Sequence, residues 1–108
     1  MDRNEIDCPM EMTASVIGNK WKPVIIHYLL SGTKRFCELK RSIPEISQKV
    51  LTDNLRGLEE DGLVSREIFA EVPPRVEYTL TSIGETLEPL ISIMQQWGIE
   101  YKQKMKIK

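Results

Sequence analysis

Much of what chemistry requires is scarce in this chain. Its 108 residues include one histidine, His27, and two cysteines, Cys8 and Cys37, far apart and in no CxxC pair. A closed zinc site from Cys and His is therefore unavailable within one chain. There is no glycine-rich phosphate loop, and His27 has no partners for a catalytic triad. An enzyme is the weakest functional class on these grounds, and no cofactor or metal is expected. No apolar run approaches the ~20 residues that span a membrane. The opening residues, MDRNEIDCPM, are acidic and hold no apolar core of a secretory signal, so a cytoplasmic location is expected. Internal repeats and low-complexity segments are also missing.

An excess of positive charge is missing as well. The net charge is −1, which for the whole chain argues against a nucleic-acid binder. The distribution is uneven, however. Residues 20–58 carry eight basic side chains (Lys20, Lys22, Lys34, Arg35, Lys40, Arg41, Lys49 and Arg56) against Glu38, Glu45 and Asp53. Residues 59–100 carry nine acids against Arg66 and Arg75. A phosphate backbone responds to local potential, so the basic stretch keeps nucleic acid open as a partner.

What is present is a series of well-punctuated elements in a single small domain, residues 1–108. Pro9 suits the first turn of a helix that Gly18-Asn19 stops. A second helix starts around Lys20-Trp21-Lys22-Pro23 and is apolar on much of its circumference, which suits the centre of the core. Thr33 is placed to cap a short helix over Lys34–Ser42, ended by Pro44. Residues 46–64, ISQKVLTDNLRGLEEDGLV, read as one helix with Ser47 as N-cap and Gly62 as the left-handed residue after its end. Leu51, Leu55 and Leu58 form its apolar stripe, and Lys49, Thr52, Asp53 and Arg56 face the other way. The pattern then alternates over 64–69 and 76–80 around Pro73-Pro74, predicting a hairpin. A last helix starts at Thr81 or Ser82 and carries Ile83, Leu87, Leu90, Ile91, Met94, Trp97, Tyr101 and Met105 on one stripe, which Pro89 should kink or split. So small a domain can hardly cover that stripe itself, and a second chain is the expected cover.

The order of elements is mainly α with a small β-hairpin: a helix-turn-helix followed by a wing. The second helix of such a motif enters the major groove. Ser47, Gln48, Lys49, Thr52 and Arg56 are then the expected DNA-facing residues. Lys49 and Arg56 suit phosphates or guanine edges, Gln48 suits adenine, and Ser47 with the helix N-terminus suits a phosphate. Arg75, expected at the hairpin tip, is the candidate wing contact. Lys20, Lys34 and Arg35 are expected to add backbone contacts. Each of these cations read alone is equally well a solvated charge. A winged helix that binds protein instead of DNA is a separate class. The basic 20–58 segment argues against it, and a steep loss of affinity with salt discriminates.

The chain resembles the HxlR-type winged-helix transcriptional regulators. The resemblance rests on Cys8-Pro9; Ile17-Gly18-x-Lys20-Trp21; Arg35-Phe36-x-Glu38-Leu39; Ile46-Ser47-x-Lys49-x-Leu51-Thr52; Leu55-Arg56-x-Leu58-Glu59-x-Asp61-Gly62-Leu63-Val64-x-Arg66; Val76-Glu77-Tyr78-x-Leu80-Thr81-x-x-Gly84; and Trp97-Gly98. These pieces occur in family order across nearly all of residues 8–98. Glu45, where many members have glycine, and Pro23 are departures. The resemblance implies a homodimeric regulator, repressor or activator, on a pseudo-palindromic double-stranded operator. It implies pairing through the N- and C-terminal helices, with Met12, Leu90, Ile91, Met94, Trp97 and Tyr101 as candidate interface residues.

The resemblance also draws attention to Cys8, because several family members sense oxidants or electrophiles through a cysteine at this Cys-Pro position. Sensing requires an accessible thiol that ionises readily. A nearby helix N-terminus favours this, and the acidic neighbours Asp7 and Glu11 oppose it. The alternative is a structural thiol. Cys37 reads as a semi-buried filler, and an intersubunit Cys8–Cys37 disulfide is a weaker alternative. Trp21, Trp97 and Tyr101 read as core and interface, or as the lining of a small-molecule effector pocket between subunits.

Overall fold

The computed structural model describes residues 3–108. After a single 3-10 turn at Arg3–Glu5, the chain runs α1 (Pro9–Ile17), α2 (Lys22–Leu29), β1 (Lys34–Arg35), α3 (Phe36–Ser42), α4 (Gln48–Glu60), β2 (Val64–Phe69), β3 (Arg75–Leu80), α5 (Ser82–Glu85) and α6 (Glu88–Lys104). The fold is mainly helical, with a small antiparallel sheet of strand order β1-β3-β2. It is a winged helix, α3 and α4 forming the helix-turn-helix and β2–β3 the wing.

Local chemistry sets the boundaries. Asn19 ends the α1–α2 turn by accepting, on Oδ1, the N–H groups of Trp21 and Lys22, both at 2.9 Å. That satisfies donors that the first turn of α2 leaves open. Ser47 caps α4 through Oγ, which accepts from the Val50 N–H at 3.1 Å. At the other end Gly62 has φ +75°. Its N–H donates to the Glu59 carbonyl and that of Leu63 to the Leu58 carbonyl, both at 3.0 Å. This is the paired closure that a left-handed residue after a helix makes possible.

Two expectations about boundaries are corrected. Lys34 and Arg35 do not begin α3. They pair with Tyr78 and Glu77 of β3 as an edge strand, and α3 starts at Phe36. The Thr33 hydroxyl, expected to cap, instead lies 2.8 Å from the Thr79 hydroxyl across the same edge. The strand pairing satisfies backbone groups on a free edge of β3, a tertiary gain invisible in local spacing. The last helix is split at the proline, one of the two outcomes expected there. Thr81 caps α5, its Oγ1 accepting from the Gly84 N–H at 3.1 Å. Pro89 sits in the first turn of α6, where a missing N–H has no cost.

The core lies between α2, α4 and the sheet. Ile25 and Ile26 of α2, Leu39 of α3, and Leu51, Leu55 and Leu58 of α4 are essentially inaccessible. Val64, Tyr78 and Leu80 close it from the sheet, and Ile91 from α6. Helix α4 is thus held along one whole side, leaving the other free.

Candidate nucleic-acid interface

On α4 the buried leucines alternate with an open front. Ser47, Gln48, Lys49, Asp53 and Arg56 are exposed, and Thr52 is half-buried. The Thr52 hydroxyl donates to the Gln48 carbonyl at 2.9 Å, one turn back along the helix. Lys49 Nζ donates to Asp53 Oδ2 at 2.9 Å. Among the described residues Arg56 makes no ion pair, so its guanidinium is the unengaged cation of this face. Of the five residues expected to face DNA, Gln48, Lys49 and Arg56 are exposed on α4, Ser47 is exposed at its N-cap, and Thr52 is half-buried.

The surrounding cations are arranged less uniformly. Lys20 lies over the Trp21 ring, 4.5 Å from its centroid. Lys22 runs beside α4: a Cβ at Gly57 would sit 3.1 Å from its Nζ. Lys34 is half-buried in β1, and Arg35 is exposed just before α3. The expectation that Arg75 stands at the hairpin tip is corrected. The tip is 70–74, and Arg75 is the first residue of β3, opposite Phe69. Its guanidinium stacks on Phe69 at 4.0 Å and lies 3.3 Å from both Glu71 and Glu77. Two carboxylates beside one cation hold it against the protein.

Residues that motif reading passed over hold α4 in place. Asn54 is the one buried polar side chain among the described residues. Its Nδ2 donates to the Val50 carbonyl, and its Oδ1 accepts from Asn19 Nδ2, each at 2.8 Å. One amide pair thus ties the α1–α2 turn to α4. Asn54 falls between Val50 and Leu58 at steps of four, so a polar residue on an apolar stripe was the available signal. At the other end Arg3 links Asp61, which follows α4, to Ser15 of α1.

Helix α6 carries the expected apolar surface with one correction. Met94, Trp97, Tyr101 and Met105 are exposed, and Trp97 stacks on Tyr101 with ring centroids 5.0 Å apart. Ile91 is only 4% exposed, in the core of its own protomer, so it does not face outward. Its neighbour Leu90 is half-buried against that core, and Met12 of α1 is half-buried too. A groove of about 520 Å³ runs between α2 and α6, lined by residues that include Pro23, Val24, His27, Tyr28 and Met94. Neither tryptophan lines it. Cys8 is exposed at the N-cap of α1, and Cys37 is exposed on α3. No helix among the described residues is long and apolar enough to cross a membrane.

Comparison with known proteins places this geometry among regulators. A family model described as HxlR-like helix-turn-helix matches residues 16–106. The uncharacterized HTH-type transcriptional regulator YdeP of Bacillus subtilis (strain 168) is 48% identical over 98 residues, spanning 91% of this chain and 77% of YdeP. The reduced form of the redox regulator HypR superposes with a TM-score of 0.86 at 44% identity, covering 94% of this chain and all of that one. The quinone-bound form of YodB from B. subtilis gives a TM-score of 0.72 at 39% identity, covering 86% and 99%.

Proposed function

The chain belongs to the HxlR-like helix-turn-helix family of transcriptional regulators, and from that premise we propose that it binds a pseudo-palindromic DNA operator as a homodimer. Helix α4 lies in the major groove and reads base edges with its open front. The observation that carries this reading is the division of α4. Leu51, Leu55 and Leu58 anchor it in the core, while Ser47, Gln48, Lys49 and Arg56 are solvent-exposed on one face. Arg56 supplies the free cation for a guanine edge or a phosphate, Lys49 a second cation, and Gln48 an amide for adenine. Ser47 stands at the helix N-terminus, where N–H groups favour a phosphate. Lys20, Lys34 and Arg35 add charge for the backbone, and the apolar side of α6 joins the two copies. Arg56→Ala and Lys49→Ala should each weaken binding to a DNA fragment recovered by the wild-type protein from genomic DNA, and leave the dimer intact. Unchanged affinity for both variants in a mobility-shift titration removes the groove assignment.

A second reading concerns control, and the exposed Cys8 thiol at the start of α1 favours it. HypR is described as a redox regulator, and YodB has been captured with a quinone bound. Oxidation or alkylation of Cys8 would act next to α1, which Asn19 and Arg3 connect to α4. Diamide or a quinone then releases the wild-type protein from DNA and spares Cys8→Ser. Equal release of both proteins sinks this reading.

A further inference from the structure

We propose that Arg75 is a positioning residue that holds the wing, and that it does not itself touch DNA; this rests on the DNA-binding reading above. The Phe69–Arg75 pair is the last rung of the β2–β3 ladder before the loop. Across it the guanidinium stacks on the Phe69 ring at 4.0 Å. Nη2 lies 3.3 Å from a Glu71 oxygen inside the loop, and Nε lies 3.3 Å from a Glu77 oxygen on β3. One side chain therefore joins the loop, the end of β2 and β3.

Within the loop the Glu71 N–H donates to the Phe69 carbonyl at 2.8 Å. A groove of about 480 Å³ separates the loop from the start of α3, with Phe36 and Cys37 on the far side. Val72 is fully exposed at the tip. Charge also argues that Arg75 stays in place. Glu67 pairs directly with Glu77 across the ladder, an arrangement that repels. Withdrawing the guanidinium to a phosphate would leave Glu67 and Glu77 on the sheet, and Glu71 in the loop, without that cation. The Arg75 side chain is about three-quarters buried, 26% exposed, between the Phe69 ring and the two carboxylates.

The two roles predict opposite signs. If Arg75 were a DNA contact that Glu77 restrains, Glu77→Gln would release it and tighten binding. As a positioning residue, it requires Glu77, and Glu77→Gln weakens binding. The test uses the full chain and the recovered operator fragment, with affinity measured across a series of salt concentrations. Arg75→Met and Glu77→Gln are each expected to weaken binding about three- to fivefold, the scale of a partly exposed ion pair. The salt slope stays that of wild type, and the double variant is no worse than either single one. Arg75→Lys, which keeps a charge between the carboxylates, recovers part of the loss. In free protein both single variants speed amide exchange at residues 70–72 ahead of the rest of the chain. A salt slope lowered by about one unit in Arg75→Met, together with tighter binding by Glu77→Gln, overturns the proposal. So does unchanged exchange in the loop. Arg56→Ala and Lys49→Ala separate the premise: if both leave affinity and slope unchanged, the α4 reading fails, whereas the loop exchange still judges the clamp.

Discussion

Lys49 and Asp53 face one another one turn apart on α4, both exposed. An exposed pair of this kind contributes at most about 0.5 kcal/mol to the helix. On the proposed reading its larger effect is on DNA, because Asp53 would offer a negative charge to an approaching phosphate and occupies the ammonium. Asp53→Asn should therefore tighten DNA binding and steepen its salt dependence while leaving the melting temperature nearly unchanged, as read by fluorescence titration and calorimetry. Tyr78 shows the reverse case, a titratable group whose setting matters to stability. Burial pushes its phenol above the ordinary value of 10.0; Arg66 and Arg56 oppose the shift, and Glu59 adds to it. A pKa raised by folding gives stability that is complete below the unfolded value and is lost as pH rises through the folded one. Wild-type protein should thus lose stability in urea melts as the pH passes ~10, and Tyr78→Phe should flatten that alkaline limb. A shared, unchanged limb would place its cause elsewhere.

At the scale of elements, the parts governed by adjacent residues were legible in the sequence, and those governed by distant contacts were not. Ser47 and Gly62 mark the ends of α4 because capping needs a hydroxyl and a left-handed residue at fixed offsets. The alternation over 64–69 and 76–80 marks the wing because a strand shows a period of two. Local spacing at Lys34 predicts a helix start, since only β3, more than 40 residues on, makes extended backbone favourable there. Sequence distance from Pro73-Pro74 predicts Arg75 at the wing tip, because it says nothing of the carboxylates that fold around it. Gly84 belongs to the same class. It is buried where α5 meets the turn between α4 and β2, and a Cβ there would lie 2.1 Å from the Leu63 carbonyl oxygen. Backbone cannot yield as a side chain does, so Gly84→Ala should cost about 3 kcal/mol. Gly62→Ala meets no atom within 4 Å and should lose only the left-handed penalty, about 1–2 kcal/mol. Equal denaturation midpoints for the two variants would contradict this account of α5.

Across the whole molecule, the proposed dimer makes the apolar side of α6 and the basic stretch of 20–58 depend on each other. A chain with net charge −1 binds DNA strongly only if its cations are gathered, and two copies double the number that reach one duplex. Trp97, exposed and stacked on Tyr101, is the natural anchor of such a pairing. Trp97→Glu should shift the protein to monomer in sedimentation analysis, with the far-UV spectrum retained, and weaken operator binding more than Arg56→Ala does. A dimer that survives this change places the interface elsewhere. The central claim is that the front of α4 reads base edges, once per subunit. Its most direct test is selection from a random duplex pool by wild-type protein and by Gln48→Ala. The account predicts a pseudo-palindrome whose half-site centres are about 34 Å apart, with Gln48→Ala relaxing one position in each half-site. A recovered pool without two-fold symmetry, or one that Gln48→Ala leaves unchanged at every position, would contradict it.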